Sequence, residues 1–131
     1  MNNKNTNNKI IYPELSYKIL GCLFNVYNSL GPNHREKFYQ NALKQELIDK
    51  KLSFKEQVYC PLMHRNTIVG KNFFDFLIED KIIIELKVDR YFRKNHLKQV
   101  LEYLKTSNLK LGIIANFTSD GVKSYRVLNI N

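Results

Sequence analysis

The sequence predicts an α/β (α+β) fold, a mixed β-sheet flanked by helices. Three observations carry that prediction. Two segments with helical apolar spacing come first, short β-like runs then take over, and one more amphipathic helix interrupts those runs. The 131 residues suit about one domain, and 44% hydrophobic with 25% charged residues excludes wholesale disorder. No apolar run approaches the ~18 residues of a membrane span, and no hydrophobic signal-peptide stretch opens the chain. The expectation is a cytoplasmic protein with no membrane partner.

Residues 1–9 (Met-Asn-Asn-Lys-Asn-Thr-Asn-Asn-Lys) are polar and low in complexity, and read as a disordered tail before a single domain over 10–131. Pro13 and Glu14 suit a first helical turn. Leu15, Ile19, Leu23, Val26 and Leu30 follow at helical spacing, and Gly31-Pro32 stops the helix. A second helix is expected from Asn33 to about Lys51, with Tyr39, Leu43 and Leu47 on one stripe. Strands are expected around Phe54–Leu62, Thr67–Ile78, Lys81–Val88, Gly112–Asn116 and Ser124–Ile130. A third helix, about Lys94–Thr106, carries Leu97, Val100, Leu101 and Leu104 as its apolar stripe. Cys22 and Cys60 are too few for a disulfide scaffold and lack CxxC spacing, which argues against zinc.

Lys and Arg number 21 against 12 Asp and Glu, a formal net charge of +9. From Lys87 to Lys110 seven basic residues face only Asp89 and Glu102, a local net of +5. Such a run suits a polyanion, because each phosphate it neutralises releases counterions. It equally suits the solvated face of a chain rich in Lys and Asn. Charge alone does not choose.

The informative stretch is Phe73–Val88. Two apolar runs flank Glu79-Asp80-Lys81, which reads as a three-residue hairpin turn. Centred on Asp80, that turn pairs Ile78 with Ile82 and sets Asp75 opposite Glu85. Alternation then puts Asp75, Glu85 and Lys87 on one face, and Phe74, Phe76, Ile82, Ile84, Leu86 and Val88 on the other, the core face. A two-residue turn would instead send Asp75 and Glu85 to opposite faces. Like charges across a ladder destabilise it unless something compensates. A divalent cation would do so, and oxygen ligands point to Mg²⁺ or Mn²⁺. Lys87 on the same face could complete a site for phosphodiester cleavage. The same spacing also fits a plain hairpin with a Lys87–Asp75 salt bridge.

Asp75, a nine-residue gap and then Glu85-Leu86-Lys87 resembles the D…(E)xK signature of the PD-(D/E)XK nuclease superfamily. Leu30-Gly31-Pro32-Asn33-His34-Arg35-Glu36-Lys37-Phe38-Tyr39 resembles the LGPGxxExxY stretch of the small bacterial GxxExxY proteins, a branch of that superfamily. His96–Leu104 is similar to their HxxQxxxYL helix, and Gly112–Phe117 to their GLLINF-like strand. The likeness runs in order from about residue 14 to 129. Two positions depart from it. Phe74 stands where a proline usually precedes the first acid, and Asn33 replaces the first glycine of GxxExxY, though Asn tolerates a left-handed backbone and can cap a helix.

The resemblance implies a restriction-endonuclease-like core and a metal-dependent nuclease acting on DNA. Asp75 and Glu85 would bind Mg²⁺ or Mn²⁺, with the Leu86 carbonyl as a third ligand. Lys87 would assist the attacking water. Glu36 would join the metal shell directly or through water, although its spacing from Asn33 also suits a capping role. His96, Gln99 and Tyr103 form a polar strip beside the apolar stripe of the third helix. Gln99 is then expected at the catalytic site, and Tyr103, His96, Arg93 and Lys94 against the substrate; the strip could equally be a helix border with Tyr103 packed on the sheet. The partner is expected to be nucleic acid, DNA in the first place, with a homodimer or partner protein also allowed. A nucleic-acid-binding module that keeps this fold without cleavage is the alternative. Asp89 matches no element of the pattern.

Overall fold

The computed structural model describes residues 11–130. The expected tail over 1–9 lies outside them. Helices α1 (Pro13–Leu30) and α2 (Glu36–Asp49) precede strands β1 (Phe54–His64), β2 (Thr67–Ile78) and β3 (Ile82–Lys87). Helix α3 (Lys94–Ser107) then leads to β4 (Leu111–Thr118) and β5 (Gly121–Leu128). The strands form one sheet in the order β1-β2-β3-β4-β5. Only the β3–β4 pair is parallel, joined through α3; the other neighbours are antiparallel. A parallel pair needs such a crossover, because a tight turn can only reverse the chain. The result is the expected mixed sheet with helices on both faces.

Two clusters of buried side chains make the layers. On one face Ile19, Leu23 and Val26 of α1 and Tyr39, Leu43 and Leu47 of α2 meet Phe76, Ile82, Ile84, Leu86 and Ile113. On the other, Val100 and Leu104 of α3 meet Phe74, Ile83, Ile114 and Val127. Leu97 and Leu101 pack at the edge of that second cluster. Apolar stripes at 3.6-residue spacing thus cover both faces of strands that are apolar on both sides.

Helix α2 starts later than its pattern suggests. Asn33 has φ 69°, a left-handed conformation that cannot continue into a helix, so the N-cap is Arg35 and no side chain caps it. Asn33 therefore does not cap α2, and Glu36, at the first helical position, does not close a capping box.

The β2–β3 turn follows expectation. Glu79 and Asp80 both have positive φ (55° and 54°), as a type I′ turn requires, and the Lys81 N–H closes it on the Ile78 carbonyl at 2.9 Å. Ile78 pairs with Ile82, Leu77 with Ile83 and Phe76 with Ile84. The expected core face needs two corrections. Phe74 does not join Phe76 against α1 and α2; it lies in the α3 cluster, and Val88 is exposed. The cause is local. Opposite Asp75, Gln57 of β1 has φ 51°, and the β1–β2 ladder skips that rung before resuming at Val58–Phe74. Both strands change face there: Phe54 and Phe76 pack toward α1 and α2, Val58 and Phe74 toward α3.

Candidate active site

Asp75 sits at this change of face. Continued in register, the β2–β3 ladder would pair Phe74 with Leu86. Instead the Leu86 N–H donates to Asp75 Oδ2 at 2.7 Å, so a carboxylate replaces a main-chain carbonyl where the strands part. The Asp75 N–H in turn donates to Glu85 Oε1 at 3.1 Å. Gln40, one turn along α2 from Glu36, donates from Nε2 to Asp75 Oδ1 at 2.9 Å. Lys87 Nζ stands 3.4 Å from Glu85 Oε2. Asp75, Glu85 and Lys87 therefore meet at one point of the fold, and each is largely withdrawn from solvent.

The electrostatics follow from that burial. Desolvation first and the Asp75 charge second push the Glu85 carboxyl up to about 8, against the opposing pull of Lys87. Asp75 is also raised, chiefly by burial, against the hydrogen bond from Leu86 and the Lys87 charge. The two acids are close neighbours, so the charge on one disfavours ionisation of the other. Both acids of the pair are therefore raised.

Glu36 is half-buried at the start of α2. Burial raises its carboxyl first; Lys87 lowers it, and the Asp75 and Asp89 charges raise it again. It therefore feels the acid pair, but its carboxylate makes no direct ion pair or hydrogen bond among the described residues. Nor does any group of three His, Cys, Asp or Glu there stand close enough to hold a metal ion. The close donor set is thus Asp75 and Glu85, with the Leu86 main chain between them. A strand residue presents its N–H and C=O to the same neighbour, so the Leu86 carbonyl faces the same gap as its N–H. These donors fit Mg²⁺ or Mn²⁺: all are hard oxygens, and Mg²⁺ commonly takes one or two carboxylates and completes its shell with water and phosphate.

The α3 residues stand differently. Gln99 is exposed, and its amide makes no hydrogen bond among the described residues. Tyr103 packs its ring on Phe74, centroids 5.1 Å apart, beside Asp75 in the chain. His96 Nε2 lies 3.2 Å from Asp89 Oδ2. Arg93 is the exposed N-cap of α3 and Lys94 its exposed first residue.

Three residues that the sequence reading did not assign to the site belong to its surroundings. Gln40 lies four residues after Glu36, on the same helical face, and that spacing was its signal. Asn116 is the single polar side chain in an otherwise apolar strand core and is 2% exposed. It holds Asp89 by both main-chain groups: the Asp89 N–H donates to Asn116 Oδ1 and Asn116 Nδ2 to the Asp89 carbonyl, each at 2.9 Å. Asp89, with His96 on its carboxylate, is the third.

A family model for the PD-(D/E)XK nuclease superfamily matches residues 13–127. The match takes in most of the chain, and the protein belongs to that superfamily. Among the described residues its five-stranded mixed sheet with three helices is the restriction-endonuclease-like fold. Members are usually nucleases, generally use divalent metals such as Mg²⁺, and take nucleic acid as substrate. The crystal structure of SSO0001 is similar in fold, with a TM-score of 0.56 and 20% sequence identity, covering 73% of this chain and 51% of that one. The chain thus spans about half the length of that protein. No curated protein sequence matches it. Among the described residues no helix is long and apolar enough to cross a membrane.

Proposed function

We propose that the protein hydrolyses phosphodiester bonds of DNA in a metal-dependent reaction, as a nuclease of the GxxExxY branch. The observation that carries this reading is the buried Asp75–Glu85 pair with the Lys87 ammonium 3.4 Å from Glu85. Two coupled carboxyl groups beside one amine is an expensive arrangement for stability alone, and perturbed acids of this kind mark sites of chemistry. The Leu30–Tyr39 and His96–Leu104 motifs support the branch.

Asp75, Glu85 and the Leu86 carbonyl would hold the cation, with Glu36 reaching it through water. When bound, Mg²⁺ or Mn²⁺ would supply charge neutralisation at the phosphate and Lewis-acid activation of water. Gln40 and the Leu86 N–H keep the Asp75 carboxylate in one orientation, which preorganises it. Lys87 donates to the attacking water or to the phosphate as charge develops. In the overall reaction the water oxygen bonds to phosphorus, the ester P–O bond breaks, and the departing oxygen leaves with a proton. Gln99, His96, Arg93 and Lys94 lie on or beside α3, where they would meet the strand outside the acid pair. Tyr103 supports the site through Phe74.

Digests of single- and double-stranded DNA and RNA with and without Mg²⁺, run beside Lys87→Ala, test the reading. Cleavage should require metal and fall by at least about 100-fold in the variant, the scale of losing one electrostatic stabiliser. Equal cleavage by both proteins would mean contamination and end the enzymatic claim, leaving the non-catalytic binding module. Millimolar Mg²⁺ should also raise the melting temperature of wild type but not of Asp75→Asn, since a ligand of the native state must stabilise it. Equal shifts would place the cation elsewhere.

A further inference from the structure

Outside the carboxyl ends of the parallel strands β3 and β4 lies a cleft of about 890 Å³. Such ends are where open α/β sheets take their ligands. The cleft adjoins the acid pair without including it. One wall begins at Val88, next after Lys87, and the facing wall includes Arg35, next before Glu36. Arg35, Arg90 and Lys123 line it with positive charge. Two carboxylates oppose them, Asp89, which His96 Nε2 approaches to 3.2 Å, and exposed Asp120, so the three cations leave the cleft with a net positive charge.

The loop between β3 and α3 crosses this cleft and is anchored on both sides. Asn116 pins the main chain of Asp89, and the Phe92 ring stacks on Tyr125 with centroids 3.8 Å apart. Between these anchors the fold presents Arg90 and Tyr91. Tyr91 is 75% exposed, and the Arg90 guanidinium lies 5.9 Å from its ring centre. A fixed loop that holds an uncovered aromatic ring beside an arginine, in a positively charged cleft, has the parts of a single-strand platform. The cations follow the backbone and the ring receives a base. A duplex base has both faces covered by its neighbours; only an unpaired base offers one to a side chain.

We propose that this cleft takes the unpaired nucleotides next to the scissile phosphate, with one base stacked on Tyr91, so that the substrate is a single strand. The inference rests on the phosphodiester reading of the acid pair and names the strand that pair would cut. The ligand chemistry, an unpaired base on a phosphate chain, is common to DNA and RNA.

The test is fluorescence anisotropy in EDTA with a short labelled oligothymidylate, an oligouridylate of equal length and a blunt DNA duplex. Wild type, Tyr91→Ala and Tyr91→Phe are compared. Wild type should bind at least one of the single strands more tightly than the duplex, and the tighter of the two identifies the source. Tyr91→Ala should weaken single-strand binding about 5- to 100-fold, the loss of one base stack, while Tyr91→Phe keeps it. Unchanged melting temperatures would show that the fold is intact. Equal single-strand binding by wild type and Tyr91→Ala, or a wild-type preference for the duplex, overturns the inference. A digest with Mg²⁺ separates the two claims. Tyr91-dependent binding without cleavage refutes the hydrolase reading and leaves the platform standing, whereas cleavage with Tyr91-independent binding refutes the platform alone.

Discussion

Glu85 shows what the site does to a single residue. Its carboxyl moves from an ordinary 4.5 to about 8 because it is buried beside Asp75. An acid raised by folding binds its proton more tightly folded than unfolded. The stabilisation is therefore whole in acid and is lost as pH climbs from about 4.5 through about 8. Glu85→Gln keeps the side-chain shape, cannot ionise, and leaves Lys87 within reach of the Asp75 charge. In EDTA the variant should melt several degrees above wild type near pH 9 and close to it near pH 5. Thermal scans at both values check this. Equal melting temperatures near pH 9 would mean that folding does not raise the Glu85 carboxyl. The same side chain marks how far sequence reading reaches. Turn arithmetic brought Asp75, Glu85 and Lys87 together, because register follows from a local turn. Gln40 and Asn116 were not legible in that way. Each acts on an element distant in sequence, so only the packing of α2 and the β4 register reveal its partner.

At the scale of elements, α3 owes its seat on the sheet to a missing side chain. A Cβ added at Gly112 of β4 would stand 2.5 Å from Val100 Cγ1, nearer than any relaxed contact. Val100 is buried and β-branched, hence stiff at χ1, so it cannot swing aside. Gly112→Ala should cost about 1–3 kcal/mol, the usual range for overpacking. Val100→Ala alone should also destabilise by opening a cavity. The double variant should lose clearly less than the sum, because the two changes share one volume. Urea titrations of the four proteins measure that coupling, and strict additivity would refute the contact. The elements themselves were legible from spacing: all eight appear in the expected order. What spacing missed was the change of face at Gln57 and Asp75. Alternation assumes an unbroken pleat, and Phe74 was assigned to the wrong layer because a positive φ in the neighbouring strand broke it.

Across the whole molecule, charge raises a different question: whether the net +9 acts as a diffuse field or through a few placed cations. The basic run was legible in the sequence, but its geometry was not. Lys94, Lys98 and Lys105 lie exposed on α3, whereas Arg90 joins Arg35 and Lys123 in the cleft, brought there by the β3–α3 connection, the α1–α2 connection and strand β5. The salt dependence of single-strand binding distinguishes the two cases. Each phosphate neutralised on a single strand adds about −0.7 to the slope of log affinity against log salt. Three cleft cations therefore predict a slope near −2, or roughly a 20-fold loss when salt rises fourfold. Arg90→Ala should flatten that slope by about 0.7, because one phosphate contact goes. Tyr91→Ala should lower affinity at every salt concentration and leave the slope alone, since a stacked ring releases no counterion. Anisotropy titrations across a salt series read both effects. A slope of about −4 or steeper that Arg90→Ala does not change would move the strand's path from the cleft to the α3 surface.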